Sequence, residues 1–390
     1  MKVYWATRLR GFLKHISEHT EGVQFVQKDQ YYETSGKLSI LKSKLIRSRL
    51  LDPIGLFQVI KVSGKDCDCY GSFNRFLESD KPYFIYLENP TALYHYALGR
   101  VHSRTGEKRF RKRLHDSNLK YVVCMSEACR STFERVNMQI PEGVKFKTIY
   151  PLVPKNPNVD EVFLKELCRS ETLECLYCVQ GKRFVTKGGP DVIEAVEHLY
   201  RAGVKIHLTV ITHLSALDAG MYEQIKACEF VTLHDFSYSY SELEKVYANT
   251  HLLLQPSSDD SSSLTVLEAM KGGCAVIGTK LYAFPEMVED GQSGYLIEPK
   301  FRIFTEENLP NPRCWPRRKK LQYAKQKDET FVNNIENGIL SLYNDRDKLS
   351  AFSLRSLEIA NTKFGEETIC QQWAEVWNTL ELEGKAADET

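Results

Sequence analysis

The segment from His251 to Pro299 constrains the fold more than any other part of the chain. It reads as a strand (His251–Gln255), a Ser-rich turn, an apolar helix, a Gly272–Gly273 stop and a second strand (Ala275–Gly278). A helix opened by Pro285 follows, and then Asp290-Gly291 and Ser293-Gly294 turn the chain into the apolar Tyr295-Leu296-Ile297. Leu264, Val266, Leu267 and Met270 have helical spacing. Ser261, Ser262 and Ser263 before them are N-cap residue types. Paired glycines suit a helix end that needs a left-handed residue, and proline suits a first helical turn. Such an alternation of strand and helix predicts an α/β unit with a parallel sheet.

The Ser-rich turn lies at the carboxyl end of a strand, where open parallel sheets bind ligands. A helix that starts at Leu264 leaves its first amides without internal partners, and its dipole favours an anion there. Thr265 adds a hydroxyl, and Asp260 and Glu268 bring two carboxylates. This chemistry suits a ligand with phosphates and sugar hydroxyls, although an ordinary capped helix would share the turn. Upstream, Gly181-Lys182-Arg183-Phe184-Val185-Thr186-Lys187-Gly188-Gly189 forms a basic loop between an apolar stretch and a helix. Lys182 and Lys187 beside a helix N-terminus would neutralise a diphosphate without a metal. Each lysine acts as a point charge, and Arg183 takes the first role if the loop shifts by one residue. The plain alternative is a solvated basic turn.

These pieces together resemble the donor site of retaining glycosyltransferases of the GT-B fold, specifically glycosyltransferase family 4. The family's Glu-x7-Glu signature reads Asp260-x7-Glu268 here, and its Gly-Arg-x4-Lys-Gly loop reads Gly181-Lys182-x4-Lys187-Gly188. LTVLEAMKGGCAVIGT and FPEMVEDGQSGYLI follow the family's wording closely. Asp260 and Lys182 are departures, and Ser261–Ser263 replace a Gly-rich turn. The resemblance implies an α/β GT-B fold: two Rossmann-like domains facing each other across a cleft, with a C-terminal helix crossing back to the N-terminal domain. It implies a nucleotide-diphosphate sugar donor (UDP- or GDP-sugar), no required cofactor and no metal. Lys187 and Asp260 would be catalytic; on the acceptor side the family often carries a His after a central strand, and Glu88, at the carboxyl end of the strand Tyr83–Leu87, is the candidate here. Lys182, Arg183, Lys187, Asp260, Ser262, Ser263, Leu264, Thr265 and Glu268 would bind the donor. The loop His234–Tyr238 would face the nucleotide base. Retention is commonly ascribed to front-face attack, which demands no enzyme nucleophile.

The 390 residues suffice for two cores. Residues 1–152 are expected to form an N-terminal acceptor-side domain, completed by a C-terminal helix over 364–385. Residues 155–363 are expected to form the donor domain. Pro151, Pro154 and Pro157 stiffen the crossing between them. Residues 301–330 read as a Pro-broken, basic insertion. In the first domain Val3–Ala6, Tyr83–Leu87 and Tyr121–Met125 read as strands, with a helix from about Gly11. Glu88 follows the strand Tyr83–Leu87, with His95 further on.

A net charge of +1 argues against a general polyanion partner, and the basic runs lack the aromatic pattern of a nucleic-acid module. Eleven cysteines without an apolar leader at the N-terminus fit reduced thiols and a cytoplasmic site. Cys175 and Cys178 are spaced like metal ligands, but no second pair supports them, so buried strand thiols are expected. The basic stretches 37–51 and 100–115 read as helices packed on the core with solvated basic faces. Their alternative is peripheral contact with the inner face of a membrane, which would suit a lipid-linked acceptor. A carbohydrate acceptor is the other expectation. Competing readings are a catalytically inactive glycosyltransferase-like partner and a GT-B phosphorylase or sugar-nucleotide epimerase.

Overall fold

The computed structural model describes residues 1–9, 11–26, 48–136, 140–179, 183–315 and 326–388. The chain divides into two compact units. The first is Met1–Leu152 with Glu307–Leu309 and Glu366–Thr390, and the second is Val153–Glu306 with Pro310–Gly365.

The strands of the first unit are β1 (Lys2–Trp5), β2 (Gln24–Val26), β3 (Val59–Val62), β4 (Cys69–Phe73), β5 (Phe76–Ser79), β6 (Tyr83–Leu87), β7 (Leu119–Cys124) and β8 (Lys145–Thr148). Six of them pair in the order β2-β1-β4-β6-β7-β8, every pair parallel, while β3 and β5 form a small parallel sheet of their own. β6 is YFIYL and is buried along its whole length, as a central strand covered on both faces must be. β1 runs one residue earlier than Val3–Ala6, and β7 begins two residues before Tyr121, so the register of the core is unaffected.

Two helices show how the sheet is covered. Helix Gly11–His19 buries Phe12, Leu13 and Ile16. Helix Glu366–Asp388, at the far end of the chain, buries Ile369, Trp373, Val376, Trp377 and Leu380, a stripe at helical spacing. Trp373 and Trp377 stack with centroids 4.8 Å apart, and they meet Phe84 of β6 at 5.7 and 5.2 Å. The last helix therefore completes the core that the first strands begin.

Of the basic stretches, residues 37–47 lie outside the described residues. Helix Arg104–Leu114 buries Gly106, Phe110 and Leu114 and leaves Lys108, Arg109 and Lys112 exposed. Arg100, from the same basic run, is wholly buried and is therefore no part of a solvated face. Its Nε donates to Asp52 Oδ1 at 3.1 Å and its Nη1 to the Leu56 carbonyl at 3.1 Å. No helix among the described residues is long and apolar enough to cross a membrane.

The second unit contains β9 (Leu173–Val179), β10 (Ile206–Thr212), β11 (Val231–Asp235), β12 (Leu252–Leu254), β13 (Ala275–Thr279) and β14 (Gly294–Ile297). They pair in parallel in the order β11-β10-β9-β12-β13-β14. This is the doubly wound order of a Rossmann sheet, and the direction of winding reverses between β9 and β12. Tyr177, Leu208, Val210, Leu252, Leu254 and Ile277 from the strands pack with Ile335 and Ile339 from helix Glu329–Tyr343. Cys175 belongs to this core, and Cys178 is buried outside that cluster. The described cysteines form no disulfide.

Candidate functional site

β9 and β12 are neighbours in the sheet, so the segments after their carboxyl ends emerge side by side at the reversal of winding. The basic loop follows β9, and the turn Gln255–Ser263 follows β12. The loop is tightly wound. Lys187 N donates to the Arg183 carbonyl at 2.9 Å, and Gly189 N donates to the Phe184 carbonyl at 2.9 Å. Tyr177 Oη, from β9, donates to the same Phe184 carbonyl at 2.8 Å. The turn binds the loop through Ser258 N, 3.3 Å from the Thr186 carbonyl.

Gly188 is the hinge between the loop and helix Gly189–Arg201. Its φ of +86° suits glycine, and a Cβ there would stand 2.7 Å from the Pro256 carbonyl oxygen. The turn therefore comes close because this position has no side chain. The approach brings Lys187 Nζ within 2.7 Å of Asp260 Oδ2, with both side chains mostly buried. Asp260 Oδ1 also accepts from Ser261 N at 3.1 Å. Arg183 is exposed and reaches the Asp259 carbonyl at 3.3 Å and Asp259 Oδ2 at 3.8 Å. Lys182 lies outside the described residues.

Helix Leu264–Lys271 begins where the spacing predicts, and Gly273 ends it at a φ of +78°. Ser263 holds the N-cap position, but its hydroxyl makes no capping bond. Buried Ser263 Oγ has no hydrogen-bond partner among the described residues. No side chain at the N-cap therefore occupies the first amides of this helix, in contrast with Ser239, which closes a capping box on helix Tyr240–Ala248. Ser262, Leu264 and Thr265 are half-buried around the same helix start.

Glu268 sits one turn along. Tyr247 Oη donates to its Oε2 at 2.9 Å. Burial pushes the Glu268 carboxyl above its ordinary value; the Tyr247 hydroxyl partly opposes this, and Glu244 adds to it. Two polar groups at this sheet edge escaped sequence reasoning. The Gln255 side chain, fully buried at the end of β12, leaves both amide atoms without partners among the described residues. Tyr247 supports Glu268 from another helix. Neither belongs to a recognisable spacing; only the packing of the turn and of the two helices reveals them.

Behind the loop, Lys300 Nζ meets Asp191 Oδ1 at 2.7 Å, and both side chains are almost fully buried. Burial pushes the Asp191 carboxyl upward while Lys300 holds it down. The pair anchors the first turn of helix Gly189–Arg201 to the segment after β14. In β11 and the loop that follows it, His234 and Tyr238 meet edge to face at 5.6 Å.

The structure thus gathers Arg183, Lys187, Asp260, Ser262, Ser263, Leu264, Thr265 and Glu268 at one sheet edge of the second unit. Glu88 belongs to the first unit, at the carboxyl end of β6. Tyr96 Oη donates to Glu88 Oε1 at 2.6 Å, and Glu88 N donates to Asn74 Oδ1 at 2.9 Å. Asn74, His95 and Tyr96 around it all have positive φ, at 60°, 58° and 60°. Such strain in non-glycine residues tends to collect at functional positions. His95 Nε2 is engaged as acceptor for Gln58 N at 3.2 Å.

Residues 174–303 match the family model of glycosyl transferases group 1. By that match the segment is similar to group 1 glycosyl transferases. The match runs from Glu174, in β9, to Ile303, three residues past the Lys300 anchor, and so spans the strands and turns just described. No curated protein matches the chain. Solved structures share the GT-B fold at low identity. HepE of Anabaena, in complex with UDP and glucose, matches at a TM-score of 0.59 and 15% identity over 97% of this chain and 100% of that one. Sucrose-phosphate synthase of Thermosynechococcus elongatus matches at 0.62 and 12% identity over 97% and 99%. The pneumococcal O-GlcNAc transferase GtfA, with UDP and GlcNAc, matches at 0.53 and 14% over 80% and 57%.

Proposed function

We propose that the protein is a retaining glycosyltransferase that moves a sugar from a nucleotide-diphosphate donor to a hydroxyl acceptor without a metal. The observation that carries this reading is the convergence of Lys187, Asp260 and the uncapped amides of helix Leu264–Lys271 at the reversal of the sheet. The donor diphosphate lies against those amides and Lys187, with Lys182 and Arg183 as further cations. Glu268 accepts hydrogen bonds from the ribose hydroxyls. Asp260 approaches the sugar ring.

In the transfer, the bond from the anomeric carbon to the diphosphate oxygen breaks and the acceptor oxygen bonds that carbon on the same face. The acceptor proton passes to the departing phosphate. Lys187 stabilises the charge that builds on the leaving group, which is where a fixed cation accelerates the step. Glu88 is the proposed acceptor-side carboxylate. UDP is the first nucleotide to try, because HepE has been captured with UDP and UDP-glucose. A glycan or lipid-linked hydroxyl is the proposed acceptor. For a lipid-linked one, the exposed cations of helix Arg104–Leu114 would meet the membrane, and flotation with anionic vesicles tests that arm.

The test is donor binding and turnover by purified protein. UDP-, GDP- and ADP-sugars are screened by thermal shift, and the ligand that stabilises is then assayed for hydrolysis and for transfer to saccharide acceptors. Lys187→Ala and Glu268→Ala are each expected to lower turnover by about 100-fold or more, and a chelator is expected to leave kcat unchanged. Wild-type turnover in both variants would overturn the site assignment. Donor binding without turnover on any acceptor would favour a non-catalytic partner.

A further inference from the structure

His15, Glu18 and His19 lie on one face of helix Gly11–His19, in the first unit. One ligating atom from each falls within 4.8 Å of the others. His15 Nδ1 stands 3.6 Å from Glu18 Oε2. From the start of helix Glu366–Asp388, Glu366 Oε1 reaches within 3.1 Å of His19 Nδ1. Two imidazoles and one carboxylate therefore cluster on the first helix, and a second carboxylate reaches one of those imidazoles from a helix remote in sequence.

Two of the spacings are close to those in a small metal's coordination shell. Two histidines four residues apart on a helix share a face and can bind one zinc ion. Tetrahedral zinc has bonds of roughly 2.1 Å to nitrogen and oxygen, so its ligand atoms stand about 3.4 Å apart. The two measured pairs, 3.6 and 3.1 Å, bracket that edge. Imidazoles select late transition metals over magnesium or calcium, which prefer all-oxygen sites.

We propose that His15, Glu18, His19 and Glu366 form a zinc-class site that clips the first helix of the chain to the start of the last. The site has no part in sugar transfer. Cys370, one turn past Glu366, donates its thiol to the His19 carbonyl at 3.3 Å and is not a ligand in this arrangement. The site's effect is on the stability of the first unit, because metal bound only by the folded state raises apparent stability.

The full chain, free of any histidine tag and stripped with chelator, is titrated with Zn2+ against a chromophoric competitor. One equivalent is expected at micromolar affinity or better, with a rise in Tm that Mg2+ does not reproduce. His15→Gln with His19→Gln should weaken binding by at least tenfold, and Glu366→Gln should weaken it less. If the double variant does not fold, by circular dichroism, the single His19→Gln variant carries the comparison. Co2+ in place of zinc should give tetrahedral ligand-field bands without thiolate-to-cobalt charge transfer. Unchanged stoichiometry and affinity in the histidine variants, or a thiolate band that vanishes in a cysteine variant, would overturn the proposal.

Discussion

Gly188 carries more of the proposed donor site than its size suggests. Its positive φ aims Lys187 at the turn, and its missing Cβ lets Pro256 approach. Gly188→Ala would combine a strained backbone with an overlap at a carbonyl oxygen, at a cost of about 1–3 kcal/mol. The expected outcome is a lower Tm and a loss of nucleotide affinity larger than that of Arg183→Ala, whose side chain is exposed. Thermal shift with and without UDP checks both. Glu268 gives a second residue-scale prediction. Its carboxyl lies above the ordinary 4.5 in the free protein because its charge is buried. A ligand whose hydroxyls donate to the carboxylate favours the ionised form and brings that value back down. Donor affinity should therefore fall as pH drops toward the raised value, and Glu268→Gln should flatten the profile. UDP-glucose is the ligand to titrate, since its diphosphate lacks the terminal ionisation near pH ~6 that free UDP carries. Much of this residue scale was legible in the sequence: the loop around Lys187 and the interval from Asp260 to Glu268 are runs of residue types with a chemical meaning. Gln255 and Tyr247 were not, because a glutamine at a strand end and a tyrosine on an amphipathic helix are ordinary until the turn and the helices are packed.

Helix Leu264–Lys271 is positioned by its neighbour Tyr240–Ala248. The contact is made at Gly272, where a Cβ would stand 2.6 Å from the Tyr247 Cβ. Gly272→Ala should push the helices apart, separate Tyr247 from Glu268 and lower stability by about 1–3 kcal/mol, as overpacking does. Tyr247→Phe removes the hydrogen bond without the overlap. It should leave Tm closer to wild type and move the pH midpoint of donor binding upward, since the hydroxyl holds the carboxyl down. Affinity profiles of the two variants separate packing from hydrogen bonding. Helix and strand identities in this stretch followed from periodicity, and the paired glycines marked the stop. Ser263 was the exception. Its residue type promised a cap, yet its hydroxyl meets no partner among the described residues, because side-chain direction at a helix start depends on what lies opposite.

At the scale of the molecule, the sequence order and the structural division do not coincide. Trp373 and Trp377, far along the chain, fill the core whose strands begin at Lys2. Trp373→Ala would remove a buried ring from between Phe84, Tyr86 and Trp377, at about 3–5 kcal/mol. Calorimetry should show the early-strand unit melting at lower temperature while UDP still shifts the other transition. The unit this helix covers was legible only through the family resemblance, since periodicity names a buried face and not its partner. A consequence follows for biosynthesis. A ribosome delivers residues 153–365 before it delivers Glu366, so the sheet of the second unit can close while the opening strands still wait for their last helix. Until those tryptophans arrive, the nascent first sheet keeps an aromatic flank uncovered, and this is the interval in which chaperones would bind it and a stalled translation would leave it prone to aggregate.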